Sequence, residues 1–173
     1  MPVPALETER LILRAHALAD FPAYAAMRAD PLVMRYFREG AIGEEAAWAK
    51  FTAMAGHWHF HGYGSWALCE KSSGRLVGSI GYADKKRPAA HPASGAPEMG
   101  WMLAAGKHGQ GLASEALRAA LVWGRAHFGA ARIVCVIDND NAASIRLAER
   151  HGFEKFAETT RTGLPRLVFQ RML

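Results

Sequence analysis

Long hydrophobic runs are missing from this sequence. No stretch approaches the ~20 consecutive apolar residues that a bilayer-spanning helix needs, so no membrane role is expected. Cysteine is scarce as well: Cys69 and Cys135 are the only two. They are too few for a disulfide framework or a zinc site by themselves. Both lie in apolar, strand-like runs and read as reduced core thiols of a cytoplasmic protein. The opening Met1-Pro2-Val3-Pro4-Ala5-Leu6-Glu7 has neither the basic start nor the apolar centre of a secretory signal. Neither the Walker phosphate loop, which needs Lys-Ser/Thr after its glycines, nor the Rossmann GxGxxG fingerprint occurs.

What remains is a chain of 173 residues, 50% apolar and 21% charged. This is the composition of a folded globular protein and the size of one domain, taken as 1–173. Lys and Arg number 21 against 16 Asp and Glu, a net charge of +5. That excess favours an anionic partner, either nucleic acid or a phosphate-bearing small molecule; an incidentally basic surface is the plain alternative. No recognition helix or aromatic platform supports nucleic acid.

Along the chain, Thr8–Arg14 reads as a strand. Asp20 offers a cap for a helix carrying Phe21, Tyr24 and Met27 on one face. Pro31 ends or restarts that helix. Gly43–His61 reads as a second helix, and Ser65–Glu70 with Arg75–Tyr82 as a hairpin turning at Lys71–Gly74. The segment 83–97 is a proline-rich loop bearing Lys85-Lys86-Arg87, a length of loop that in a compact domain is usually functional. Glu98–Leu103 is a strand, Ala113–Phe128 a helix, Arg132–Ile137 a buried strand and Asn141–His151 a helix stopped at Gly152. Phe153–Arg161 and Leu164–Met172 close the chain as a hairpin. The order βααβββαβαββ gives an α/β (α+β) single domain around a mixed sheet, with Glu98–Ile137 as a parallel crossover.

The stretch most informative for chemistry is Glu98–Leu117, where a strand runs through a glycine turn into a helix. A helix N-terminus leaves about four backbone N–H groups unpaired and carries partial positive charge. Gly109 and Gly111 let an anion approach the backbone closely, which suits a pyrophosphate; an ordinary turn would have the same two glycines.

His108-Gly109-Gln110-Gly111-Leu112-Ala113 resembles the pyrophosphate loop of the GNAT acetyltransferases, Q/R-x-x-G-x-G/A. Asn141-Ala142-Ala143-Ser144 with Gly152-Phe153 is similar to that family's second motif. Leu6–Arg14, Gly64–Leu68 and Gly74–Gly81 resemble the branch that includes the ribosomal-protein N-terminal acetyltransferases. The resemblance runs over nearly the whole chain in the right order. It implies the GNAT fold, in which the parallel fourth and fifth strands, here Glu98–Leu103 and Arg132–Ile137, splay apart. It also implies acetyl-CoA as cosubstrate, no metal, and an amine acceptor, either a peptide N-terminus or a small molecule. A homodimer would be ordinary for the branch. A non-catalytic acyl-CoA-binding or sensing module on the same fold is the competing reading.

In residues, the resemblance implies that backbone groups of Trp101, Met102 and Leu103 pair with the pantetheine amides. His108, Gly109, Gln110, Gly111, Leu112, Ala113 and Ser114 would form the pyrophosphate loop, with His108 standing where many members have Gln or Arg. Glu98 is the candidate general base, directly or through a water, and could equally be a strand-end carboxylate. Ser144 is the candidate for stabilising or protonating the departing thiolate. Asn141 would contact the cofactor, although Asn141 and Ser144 three residues apart also suit a helix cap. A backbone N–H near Met99 or Gly100 would polarise the thioester carbonyl. His57 and His61 have a spacing that can bind a metal but no third ligand nearby, so pocket lining is the better expectation for the end of that helix. Lys85-Lys86-Arg87 reads as a solvated run or as a dock for an acidic acceptor.

Overall fold

The computed structural model describes residues 2–161 and 163–173; Met1 and Thr162, inside the expected span 1–173, lie outside the described residues. Eight strands form one sheet: β1 (Leu6–Glu7), β2 (Leu11–Arg14), β3 (Ser65–Glu70), β4 (Leu76–Ala83), β5 (Glu98–Leu103), β6 (Arg132–Asp138), β7 (Glu154–Arg161) and β8 (Leu164–Met172). Their spatial order is β1-β2-β3-β4-β5-β6-β8-β7. Every neighbouring pair is antiparallel except β5 and β6. The helices are α1 (Phe21–Ala29), α2 (Pro31–Met34), α3 (Glu44–His61), α4 (Leu112–Phe128) and α5 (Ala142–Arg150). This is the mixed α/β arrangement expected, with two refinements. Of the expected strand Thr8–Arg14 only Leu11–Arg14 is extended, and it pairs with a further strand that precedes the expected span, Leu6 opposite Leu13; Pro31 starts a separate turn of helix capped by Asp30 accepting from the Leu32 N–H.

Alternation along the strands divides the core in two. On β3, Trp66 and Leu68 join a cluster with Leu112, Leu117, Phe153 and Phe169, on the side of α4 and α5. Ala67 and Cys69 on the same strand join Tyr24, Met27, Phe51 and Met102, on the side of α1 and α3. Asp20, expected as a helix cap, makes no cap bond. Its carboxylate accepts instead from both Arg14 η-nitrogens (2.7 and 2.8 Å) and from the Ala17 N–H (2.7 Å). A guanidinium on the neighbouring strand offers a charge-assisted fork that a cap cannot match.

The departure from regularity that positions the site is between β5 and β6. Strands β4 and β5 are in register over six residue pairs, whereas β5 and β6 meet at one, Glu98 opposite Val134. Beyond it the two strands separate. The Val134 N–H donates to Pro97 C=O, and the Ala104 N–H donates to Val77 C=O. Backbone groups alternate along a strand, so Met99, Trp101 and Leu103 turn their peptide groups to the opening, and Glu98, Gly100 and Met102 turn theirs to β4.

Candidate active site

At the end of the opening the chain turns through Ala105–Lys107 and enters α4. Gly109 and Gly111 have φ of +73° and +78°, left-handed values that a residue with a Cβ adopts at a cost. The first bond of α4 runs from the Glu115 N–H to Gly111 C=O, so the N–H groups of Leu112, Ala113 and Ser114 have no acceptor in the helix. The turn is tied down from β2. Arg10 Nη1 donates to Gln110 C=O (2.8 Å) and its Nε to Glu115 (2.7 Å), while Thr8 and the Arg10 N–H also donate to Glu115. Burial works against the Glu115 carboxylate, but the bonds from Thr8 and Arg10 outweigh it and hold its pKa below the ordinary value.

The side chains of the expected loop residues have separate tasks. His108 Nε2 donates to Leu103 C=O (3.0 Å), so one of the gap-facing carbonyls is already occupied. Gln110 Nε2 donates to Gly106 C=O (2.8 Å). The Leu112 side chain is core, 1% exposed. Ser114 Oγ lies 2.7 Å from His151 Nε2. These bonds draw the side chains away, so the backbone N–H groups are what the turn chiefly offers an anion. Met102 differs from Trp101 and Leu103: its carbonyl points at Gly78 on β4, and its side chain packs with the α1 and α3 cluster. The peptide groups facing the opening are those of Met99, Trp101 and Leu103. At the single bridge the parallel ladder uses the Met99 N–H, and Gly100 pairs with Gly81 on β4. The first N–H facing the opening without a strand partner thus belongs to Trp101.

Glu98 and Ser144 flank this opening from opposite faces of the sheet. Glu98 shares a face with Gly100 and Met102. Arg87, reaching in from the 84–97 loop, donates to Glu98 Oε2 from both Nε (2.7 Å) and Nη2 (2.6 Å), and the two side chains are only 15% and 12% exposed. Ser144, in the first turn of α5, accepts from the Trp101 indole N–H at 3.1 Å. Its hydroxyl proton is left to donate. The Asn141 side-chain oxygen caps α5 by accepting from the Ser144 N–H (3.1 Å), which leaves the amide NH₂ for any ligand contact. Cys135, buried across from Glu98, has its thiol pKa pushed well up by burial and by the Glu98 charge, so it is inert as a nucleophile.

Glu98, Gly100, Trp101, Asn141 and Ser144 all line one cleft of about 720 Å³. The 84–97 loop, the end of α3 and the β7–β8 hairpin form its other walls through residues such as His57, Lys85 and Thr159. His57 is not poised for a metal. Its Nδ1 donates to Tyr63 C=O (2.7 Å) and its Nε2 accepts from the Asp84 N–H (2.9 Å), which uses both ring nitrogens and fixes a neutral tautomer. Burial, which lowers its pKa, favours the same form. The side chain anchors the start of the loop to α3.

The Acetyltransferase (GNAT) domain family model matches residues 10–154. The chain belongs to the GNAT acetyltransferase family. The uncharacterized N-acetyltransferase YoaA of Bacillus subtilis is 31% identical over 156 residues, covering 88% of this chain and 84% of that one. The crystal structure of an acetyltransferase from Agrobacterium tumefaciens has 30% identity and a TM-score of 0.83, with 99% and 95% of the two chains covered. The structure of yncA from Salmonella typhimurium, solved with acetyl-CoA as its cofactor, shares the fold at a TM-score of 0.70 and 19% identity over 94% and 93% of the chains. The GNAT architecture thus accounts for the single parallel pair and for the opening beside it.

Sequence reasoning missed three side chains that line this cleft. Arg87 sits in a basic triplet that reads as solvated. The Trp101 indole on Ser144 spans 43 residues. Arg28, buried beside the cleft, stands in a helix whose apolar spacing is drawn by its neighbours. The inward turn of Arg87 had one signal, the acidic Glu98 at the far end of the same loop.

Proposed function

We propose that this chain is an acetyl-CoA-dependent N-acetyltransferase that passes an acetyl group directly to a primary amine, on a small molecule or a peptide N-terminus, and that residues 1–173 form one catalytic domain. The observation that carries this reading is the opening of β5 from β6 beyond Glu98, which ends on two left-handed glycines at the N-terminus of α4. A Cβ at Gly109 would meet nothing within 4 Å and one at Gly111 only the tip of Arg10, so the ground above the turn is open. Three free helix amides, left-handed glycines and the positive end of a 17-residue helix suit a pyrophosphate. The backbones of Gly109, Gly111, Ala113 and Ser114 would hold it, with the Trp101 and Leu103 N–H groups along the pantetheine arm. Acetyl-CoA supplies an acetyl group already activated as a thioester.

The chain's own residues then have two tasks. The attacking amine must be neutral. A lysine-like amine of pKa near 10.4 pays about 4.6 kcal/mol for that at pH 7, and an α-amine near 8 about 1.4 kcal/mol. Glu98 receives the proton, directly or through a water, from the side of α1 and α3. Ser144 stabilises the departing thiolate by donating a hydrogen bond from its hydroxyl on the side of α5, and the thiolate takes its proton from solvent. Hydrogen-bond donor and base on opposite faces keep acceptor and cosubstrate from competing for the same ground. The finer placement beside the ribosomal-protein N-terminal acetyltransferases rests on the Leu6–Arg14 motif and on Ser144. Two buried free thiols support a cytoplasmic setting.

The test joins calorimetric titration of acetyl-CoA with a thiol-release assay over a panel of amines. Binding, together with release that depends on an amine, is expected. In Gly111→Glu a carboxylate would compete with pyrophosphate for the same amides, so binding is expected to vanish while the fold still melts cooperatively, at a Tm lowered by the cost of a side chain at φ +78°. Normal affinity in that variant would refute the loop assignment, and tight binding without turnover of any amine would refute catalysis.

A further inference from the structure

The cleft wall carries seven Lys and Arg side chains against three acidic ones, Glu39, Glu98 and Asp138. None of residues 109–114 contributes to it, so this excess does not face the pyrophosphate turn. All three acids are already paired: Glu39 with Arg28 (2.8 Å) and Lys50 (2.9 Å), Glu98 with Arg87, and Asp138 with Arg166 (3.3 Å). A polycationic acceptor would need a free carboxylate for its second charge and would meet cations instead.

Arg28 is the most confined of these cations, 6% exposed. One η-nitrogen donates to Glu39; the other has only the Met102 thioether at 3.9 Å as hydrogen-bond partner, the guanidinium lies over the Phe37 ring at 5.3 Å, and its Nε, like that of Arg166 in the same cleft, is buried without a hydrogen-bond partner. A guanidinium presents five N–H donors in a planar fork, and burying them unmatched costs free energy that a carboxylate would return. Glu98 and Met102 lie four residues apart on the same face of β5, about 13 Å at the usual rise. Between them on that face is Gly100, where a Cβ would meet nothing within 4 Å. An open strip of floor therefore runs from the carboxylate that would take the amine's proton to the guanidinium with unmatched donors.

Resting on the acetyltransferase reading above, we infer that the acceptor is a small amine carrying an anionic group, a carboxylate several bonds from the nitrogen, and that Arg28 recognises that group while the amine lies by Glu98. Lys50, sharing Glu39 with Arg28, adds field without geometry. A cleft of about 720 Å³ is of small-molecule size. Neutral amines of the same length lose the Arg28 contact, and diamines place a cation against it.

The probes are 6-aminohexanoate, n-hexylamine and 1,6-diaminohexane, compared by kcat/KM in thiol release at saturating acetyl-CoA. The acid is expected to exceed n-hexylamine at least tenfold, with the diamine lowest. Hexanoate is expected to inhibit competitively against the amine and not against acetyl-CoA. Arg28→Gln is expected to bring kcat/KM for the acid down to the level of n-hexylamine in the same variant and to abolish the inhibition by hexanoate. Because Arg28 is buried, the wild-type series and hexanoate inhibition decide the matter should that variant not fold. Equal or better use of n-hexylamine or the diamine would overturn the inference and leave the acetyltransferase reading intact. Turnover confined to peptide N-termini would do the same. Acetyl-CoA binding with no amine turned over would overturn both.

Discussion

A carboxylate that takes a proton from an amine has to be held within hydrogen-bond reach of it, and the hold on Glu98 is supplied by Arg87 through Oε2. Removing the carboxylate and removing its holder should therefore not be independent losses. Glu98→Gln is expected to lower kcat by about 10²-fold below the acceptor's pKa, with the deficit shrinking as pH rises through it. Arg87→Gln is expected to cost about tenfold through misplacement, and to cost nothing further in the Glu98→Gln background. Steady-state kinetics of the two single variants and the double variant over pH 6–10 measure this. A full Arg87 penalty in the double variant would assign Arg87 some other partner. Glu98 could be singled out from the sequence because it starts a strand ahead of a recognisable loop. Arg87 could not, because its pairing appears only when an eleven-residue excursion folds back across the sheet.

At the scale of elements, strands and helices were read to within a residue or two wherever apolar spacing had one tertiary face to serve: α4, β5 and the closing hairpin are examples. The misreadings fall where a long-range partner overrides a local rule. Asp20 is drawn to Arg14, and the expected strand Thr8–Arg14 is reduced to Leu11–Arg14, with the Thr8 hydroxyl and Arg10 bonded instead to Glu115 on α4. The β5–β6 opening came from family resemblance, since neither strand's own pattern announces that the two pair at one position. The packing of α4 on β4 was not readable either. Gly124 is a buried glycine inside a helix, where propensity favours Ala by about 1 kcal/mol. A Cβ there would run into the Tyr82 hydroxyl, which donates to Ala120 C=O (2.9 Å) in the core. Gly124→Ala is thus expected to destabilise by about 2–3 kcal/mol, because the strain and the lost buried bond exceed the propensity gain. The Tm should fall by roughly 5–10 °C, as read by differential scanning calorimetry. An unchanged or raised Tm would mean that Tyr82 can step aside.

For the whole molecule, part of the acid sensitivity follows from two groups beside the α1–α3 layer, His16 and Glu39, and they act in successive pH windows. His16 packs edge-on to Tyr24 and Phe51, and neither ring nitrogen has a partner. Burial, aided by Arg14 and opposed by Asp20, lowers its pKa from 6.5 to about 4. The unfolded chain then binds a proton that the fold refuses, so the stability His16 permits is complete above pH 6.5 and is lost as pH falls towards 4. Full protonation of the unfolded state alone is worth about 3 kcal/mol. Glu39 has the opposite chemistry and the same direction. Burial penalises its charge, but Lys50 and Arg28 outweigh that and hold the pKa at about 2, so its contribution is present above pH 4.5 and lost between 4.5 and 2. Unfolding free energy measured by urea titration should therefore fall in two stages on acidification. His16→Phe keeps the ring packing and removes its titration, so it is expected to reduce the loss between pH 6.5 and 4, where His57 and His151 also contribute, and to leave the lower stage. Glu39→Gln is expected to reduce only the lower stage, to which Asp20 and Glu115 also contribute. A His16→Phe profile parallel to wild type through pH 5 would show that the imidazole reaches solvent, and the acid sensitivity of the fold would then have to lie with His57, His151 and the paired carboxylates.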